Sequence, residues 1–262
     1  MGSEAELGVV LKTTPLRESD LLVVLYTETH GRVAAVARGA RKSQRRFAGA
    51  LQLLVLGRYQ LGRRPRGELW GLDSADVERE WTKLASDVFA VAHASYVAEL
   101  VASLLPPEQP DPHALDVMVA LWESLAEGGP SPAALRAVEL ELLDLAGNRP
   151  ALDACAACGE VDLAAGAVFD PTRGGAICRR CAATSRGANI RPVDAGTLTY
   201  LQAVAAAGSP SAARALDVDP RVTPGDRAAG RDAMIAMVLS LVGKPLKSLE
   251  YIAKLGAAGG RP

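Results

Sequence analysis

All four cysteines of the 262-residue chain fall into two Cys-x2-Cys pairs, Cys155 with Cys158 and Cys178 with Cys181, separated by 19 residues. Two residues between ligands let one tight turn aim both sulfurs at a single ion. A second such turn completes the tetrahedron of a structural zinc site. Residues 151–186 also lose the helical periodicity of their flanks, so a small module closed around one Zn2+ is expected there. Two disulfides would use the same cysteines, but they belong to oxidising compartments. A redox pair of the thioredoxin type would follow a strand and open a helix, which is expected of neither pair. Four thiolates leave no open coordination position, so the expected metal holds the fold and does not activate water.

The rest of the chain changes character twice. Residues 7–76 read as five short strands, LGVVLKT, DLLVVLYT, RVAAVARG, LQLLVLGRYQLG and GELWGLDSA, each rich in Val, Leu or an aromatic and bounded by Gly, Pro or Asp. Five strands in so short a segment suit a small closed barrel, because closure removes exposed edges. Near Ser74 the pattern is expected to become helical. Apolar residues then recur at three- and four-residue intervals through Leu84–Leu104, Leu115–Leu125 and Leu135–Leu145. Ser131 followed by Pro132 reads as a helix start. After the cysteine segment, helices are expected over Asp194–Ala207, Pro224–Val242 and Pro245–Leu255, with a loop-rich connection at 209–223 and a frayed GAAGGRP tail. The fold class is therefore multidomain α+β, divided as 1–80 (barrel), 81–150 (first helical part), 151–186 (zinc module) and 187–262 (second helical part).

Net charge is −1, yet its distribution is uneven. Arg32 to Arg66 holds ten basic residues and no acidic one. Arg38, Arg41, Lys42, Arg45 and Arg46 crowd a loop after the third strand, and Arg58, Arg63, Arg64 and Arg66 follow across the next hairpin. Arg outnumbers Lys 23 to 6, which suggests compositional bias, but bias raises Arg without deleting Asp and Glu. With Phe47, Tyr59 and Trp70 as stacking rings, both clusters on one barrel surface would form a groove that tracks a nucleic-acid backbone.

Catalytic patterns are missing. His30, His93 and His113 lie in three separate segments, and there is no nucleophile elbow, HExxH pair, dinucleotide fingerprint or phosphate loop. The chain is expected not to be an enzyme. The most apolar run, 89–105, is interrupted by His93, Ser95, Glu99 and Ser103, too broken for a membrane span of about 20 residues. The acidic start MGSEAELGVV is unlike a secretory signal, so a cytoplasmic protein is expected. A zinc-ribbon RNA-binding factor of translation or transcription is the competing reading of a barrel with a four-cysteine site.

The run ESDLLVVLYTETHGRVAAVARGARKSQRRFAGALQLL, Glu18 to Leu54, resembles the N-terminal segment of the bacterial RecO family of recombination mediators. ELELLDLAGNRPALDACAAC, Glu139 to Cys158, is similar to that family's helix and turn leading into a CxxC, and KPLKSLEYIAKL is similar to its closing helix. The resemblance implies an oligonucleotide-binding (OB) barrel, a helical domain and a zinc module without enzymatic turnover, in a nucleoid-associated protein. It implies binding of single- and double-stranded DNA, annealing of strands coated by single-stranded DNA-binding protein, and loading of RecA together with RecR and, in some bacteria, RecF. It also implies contact with the acidic C-terminal tail of single-stranded DNA-binding protein. Lys244, Lys247 and Lys254, three of only six lysines, share one helix face with Tyr251. That cationic face is the candidate receptor for such a tail, the alternative being lysines lying along an ordinary solvated face.

Overall fold

The computed structural model describes residues 3–64, 68–163, 166–187 and 189–259. The chain divides into two compact units, residues 1–129 with 251–262, and residues 130–250. This grouping joins the first two long helices to the barrel and the cysteine segment to the later helices.

The first unit begins with β1 (Glu4–Pro15), β2 (Leu21–Thr27) and β3 (Gly31–Ala37), a helical turn α1 (Gln44–Phe47), then β4 (Val55–Gly62) and β5 (Trp70–Glu80). The five strands close into a barrel in the order β1-β2-β3-β5-β4. Alternation explains the strands. In β4, Val55, Gly57, Tyr59 and Leu61 point inward while Arg58 points out. With Tyr59 and Leu61, the side chains of Val10, Val23, Leu25, Val33 and Leu72 form the core. Four of the five seams are antiparallel, and β3–β5 is parallel with only Ala35↔Trp70, Val36↔Gly71 and Ala37↔Leu72 in register. Side chains reinforce this shortest seam. Arg64 Nη2 donates to Val36 O at 3.2 Å, and Arg46 donates to Asp73 O at 3.3 Å and to Arg38 O.

The first strand starts at Glu4, before the expected Leu7, because it already pairs with β4 there, and the last two strands also differ from expectation. The fourth strand starts at Val55, not Leu51, because Phe47 and Ala50 turn into the barrel core and the chain between them and β4 is a turn. The fifth runs on to Glu80, past Ser74, because it pairs with β4 over its length. A helical turn α2 (Thr82–Ala85) then precedes α3 (Val88–Leu104) and α4 (Pro112–Gly128). Asp87 caps α3 through Phe89 N–H at 2.9 Å, and Asp111 caps α4 through His113 N–H at 3.0 Å.

The α3–α4 connection straps the β2–β3 hairpin. Tyr26 Oη bonds Asp111 O, and Arg32 Nε donates to Leu105 O at 2.9 Å. Gly31, at φ +62, lies against it so closely that a Cβ would stand 2.4 Å from Gln109 O. Gly31→Ala is therefore expected to combine left-handed strain with a backbone clash and to destabilise the first unit by about 2 kcal/mol or more, read as a lowered midpoint in urea.

The second unit holds α5 (Pro132–Leu145), β6 (Ala167–Asp170), a 3-10 turn (Pro171–Arg173), β7 (Gly175–Cys178), α6 (Arg179–Ala182), β8 (Arg191–Val193), α7 (Ala195–Ala206), α8 (Pro210–Ala213), a second 3-10 turn (Arg214–Asp217) and α9 (Pro224–Val242). Helices α5, α7 and α9 pack on one another through buried Leu142, Leu143, Leu201, Val204, Met234 and Val238. Ser131 caps α5 as its position before Pro132 predicts, accepting from Ala134 N–H at 3.0 Å. The cysteine segment carries a three-stranded sheet, β7-β6-β8. Its strands are three or four residues long, too short to show alternation in the sequence. The last helix, α10 (Lys247–Gly259), continues beyond Leu255, so the start of the tail expected to fray is helical. No described helix is long and apolar enough to cross a membrane.

Candidate metal centre and nucleic-acid interface

The two cysteine pairs meet because β7 carries the second pair to the first. Gly159, at φ +76, lets the chain turn so that its N–H reaches Cys155 O at 2.8 Å, and Cys155 N–H in turn reaches Glu160 O at 2.7 Å. Ala156 N–H bonds Ala176 O at 2.8 Å, which fixes this turn to β7. Cys178 ends β7 and stands at the start of α6, which lifts Cys181 back toward it. The second pair therefore, against expectation, does follow a strand and open a short helix; what sets it apart from a redox pair is the approach of the other two sulfurs. The four sulfurs all lie within 4.8 Å of one another, with Cys158 and Cys178 Sγ at 3.8 Å. A tetrahedron with metal–sulfur bonds of about 2.3 Å has edges of about 3.8 Å, so the donor set fits one tetrahedral ion. Among the described residues it is the one cluster of His, Cys, Asp or Glu groups so placed.

The electrostatics ask for a cation. Burial opposes ionisation of Cys155, but N–H donors from Cys178, Ala157 and Cys158 outweigh it and bring its thiol down to about 6. Contact with Cys158 pushes Cys181 up to about 12. Sulfurs this close cannot all ionise unaided, and a divalent ion removes the conflict. Cys155 and Cys178 are buried, while Cys158 is exposed. Arg180 covers that open side, its guanidinium 3.6 Å from Cys158 Sγ. Sequence reasoning missed this residue, although two arginines between the ligands of the second pair were a signal for charge compensation.

The basic residues sort into two kinds. Arg38, Arg41, Lys42 and Arg45 are exposed on the β3–β4 connection. Backbone bonds place this loop beside the β1–β2 loop: Arg41 N–H to Ser19 O at 3.0 Å and Gly39 N–H to the Asp20 carboxylate at 2.9 Å. The Gly39 N–H holds the Asp20 carboxyl below the usual range, with Ser19, Arg17 and Arg38 acting the same way. Arg41 also touches Glu18 O at 3.1 Å. The side chains of Arg38, Lys42 and Arg45 have no hydrogen bond or ion pair among the described residues. Arg17, on the neighbouring loop and exposed, belongs with them in space though it lies outside the acid-free run.

The second cluster is engaged elsewhere. Arg58 pairs with Glu78 at 2.8 Å, Arg63 pairs with Glu108, and Arg64 and Arg46 staple the β3–β5 seam. Arg66 lies outside the described residues. The stacking reading of Phe47 and Tyr59 is corrected: they are 3% and 0% exposed. Phe47 points into the barrel core, and Tyr59 donates its hydroxyl to Ala50 O at 2.9 Å inside it. Burial pushes the Tyr59 phenol well above its ordinary value. Neither ring can meet a base. Trp70 is also covered, beneath Arg63. At the chain's end, Lys244, Lys247, Tyr251 and Lys254 are exposed while Leu246 is buried, but α10 starts only at Lys247, so Lys244 lies on the bend before it and not on the helix face expected to carry all four.

The whole sequence has close counterparts. A family model described as the N-terminal part of recombination protein O matches residues 1–80, and one described as its C-terminal part matches residues 85–250. The DNA repair protein RecO of Anaeromyxobacter sp. (strain K) is 39% identical over 250 residues, 95% of each chain. That of Geobacter sulfurreducens is 35% identical over 248 residues, covering 95% of this chain and 96% of its own. That of Myxococcus xanthus is 32% identical over 251 residues, with the same coverage. Matched by both models over most of its length and by these relatives over 95% of it, the chain belongs to the RecO family of DNA repair proteins.

Proposed function

We propose that the protein is a non-enzymatic DNA-binding mediator that anneals complementary single strands and, with RecR and RecF, helps load RecA onto DNA coated by single-stranded DNA-binding protein. It would work in the cytoplasm at the nucleoid. The observation that carries the DNA part is the loop of exposed cations Arg38, Arg41, Lys42 and Arg45, three of whose side chains make no hydrogen bond or close ion pair among the described residues. Cations held on one loop neutralise phosphates of any sequence. Two single strands repel each other. A protein that offsets that charge while leaving base edges free lowers the barrier to pairing without making or breaking a bond. In this reading residues 1–80 form the nucleic-acid domain. Cys155, Cys158, Cys178 and Cys181 hold one structural zinc, which supplies cross-linking to the fold and no chemistry to a substrate.

Competition titration with single-stranded DNA, duplex DNA and a folded RNA tests this reading. Preference for both DNA forms supports it, and preference for folded RNA would favour a ribonucleoprotein factor. For the partner site we propose that the exposed face of α10 carrying Lys247, Tyr251 and Lys254, with Lys244 on the bend before it, receives the tail of single-stranded DNA-binding protein. Lys247→Glu with Lys254→Glu should weaken binding of a labelled tail peptide at least about tenfold by charge reversal and leave affinity for oligothymidine unchanged. Equal peptide affinities would exclude this face.

A further inference from the structure

Trp70 opens β5 inside the barrel core and is 5% exposed, but part of its cover is polar. The Arg63 guanidinium lies 4.4 Å above the ring centroid. His30 meets the ring edge-on at 4.6 Å. Glu108 accepts the indole N–H at 3.0 Å and holds Arg63 with its other oxygen. Arg63 is 50% exposed, and both contacts that keep it over the indole, a cation–π contact and an exposed ion pair, are weak at such a site. A ligand that replaces both can displace it.

The backbone of Glu108 is a second, independent sign. Its φ is +55, a conformation that side chains other than glycine's rarely adopt. It is fixed there by its own N–H on Arg32 O at 2.9 Å and by pairing of Arg32 with Pro107. Strain of this kind persists where surrounding structure enforces it, and it concentrates at functional positions. Here it places one carboxylate on both a tryptophan and an arginine. The bonds from Trp70 and Arg63 hold that carboxyl below its usual range, so the contact is charged at neutral pH.

We infer that Trp70 is a base-stacking position kept closed by the Arg63–Glu108 pair: a single-stranded nucleic acid draws Arg63 onto a phosphate, and an unstacked base takes the place of the guanidinium over the indole. This rests on the nucleic-acid reading above and adds a position to it. Phosphate offers arginine the same paired acceptors as a carboxylate. A base, like the guanidinium, is a planar partner for the ring, and any base serves. The indole ring lies against His30, eight residues before Arg38 and so about 26 Å from it at a strand's rise, a span that an extended single strand can bridge to reach both the ring and the basic loop. Duplex bases are already stacked and cannot enter.

The test uses the full chain with oligothymidine, reading tryptophan fluorescence alongside the anisotropy of the labelled strand. The other tryptophans, Trp81 and Trp122, pack edge-on at 5.3 Å, and Trp81 also lies beneath Arg79 at 5.0 Å, so the signal is assigned to Trp70 only by its loss in Trp70→Phe. Oligothymidine should quench an emission component that Trp70→Phe lacks, and a duplex of equal length should not. Glu108→Gln keeps an acceptor for the indole N–H but removes the charge, and should bind oligothymidine about two- to fivefold more tightly. Binding without quenching, with equal affinity for Glu108→Gln, would overturn the stacking position and leave the basic loop standing. No binding of oligothymidine at all would overturn both this inference and the reading beneath it.

Discussion

Cys178→Ala is expected to lose its metal and to unfold the second unit at a markedly lower temperature while leaving the barrel folded. The module's strands are three or four residues long, and hairpins of that size are not stable alone. What holds them is the meeting of the four sulfurs and the bonds that tie the first cysteine turn to β7. Structural zinc binds with about 10–16 kcal/mol in small peptides, and that binding energy is folding energy. Even a third of it is a large share of the ~5–15 kcal/mol that stabilises an ordinary domain. Metal analysis of the wild type should give one zinc per chain, and the variant none. Because the cationic loop belongs to the first unit, affinity for oligothymidine should survive. Wild-type protein purified without chelator and free of metal would contradict this account of the module.

Replacing Arg38, Arg41, Lys42 and Arg45 together by Ala should give the largest loss of DNA binding. Each phosphate neutralised on a single strand contributes about −0.7 to the slope of log affinity against log salt, so the quadruple variant should flatten that slope by up to about 3. Binding should weaken for every sequence alike, since phosphates carry no base information. Arg46 is left in place deliberately. It anchors Arg38 O and Asp73 O across the shortest seam of the barrel, so Arg46→Ala should lower stability, and a binding defect there would be ambiguous. An unchanged slope in the quadruple variant would reduce the loop to a solvated face.

The meeting of the four cysteines was legible because the spacing within each pair is a local property. The basic strip was only half legible, for the opposite reason. An acid-free window in sequence is not acid-free in space, since Glu78 and Glu108 come from outside it to pair with Arg58 and Arg63. Arg46 and Arg64 bind backbone carbonyls up to 28 residues away, which no composition count reveals. The inward position of Tyr59 did have a signal. Strand alternation that puts Arg58 outside must put its neighbour inside, so the charge pattern itself argued against a stacking role. Phe47 had no such signal, because the strand expected to begin at Leu51 is preceded by a turn that plugs into the core. The extension of the last helix to Gly259 was hidden by its glycines, which carry low helix propensity.

The most direct measurement of the central claim is the rate at which complementary oligonucleotides, each coated with single-stranded DNA-binding protein, pair in the presence of this protein without nucleotide or divalent metal. The account predicts acceleration that falls as salt rises and is lost in the Arg38, Arg41, Lys42 and Arg45 variant, with both strands recovered intact. No acceleration by wild type, or acceleration equal in the variant, would contradict it.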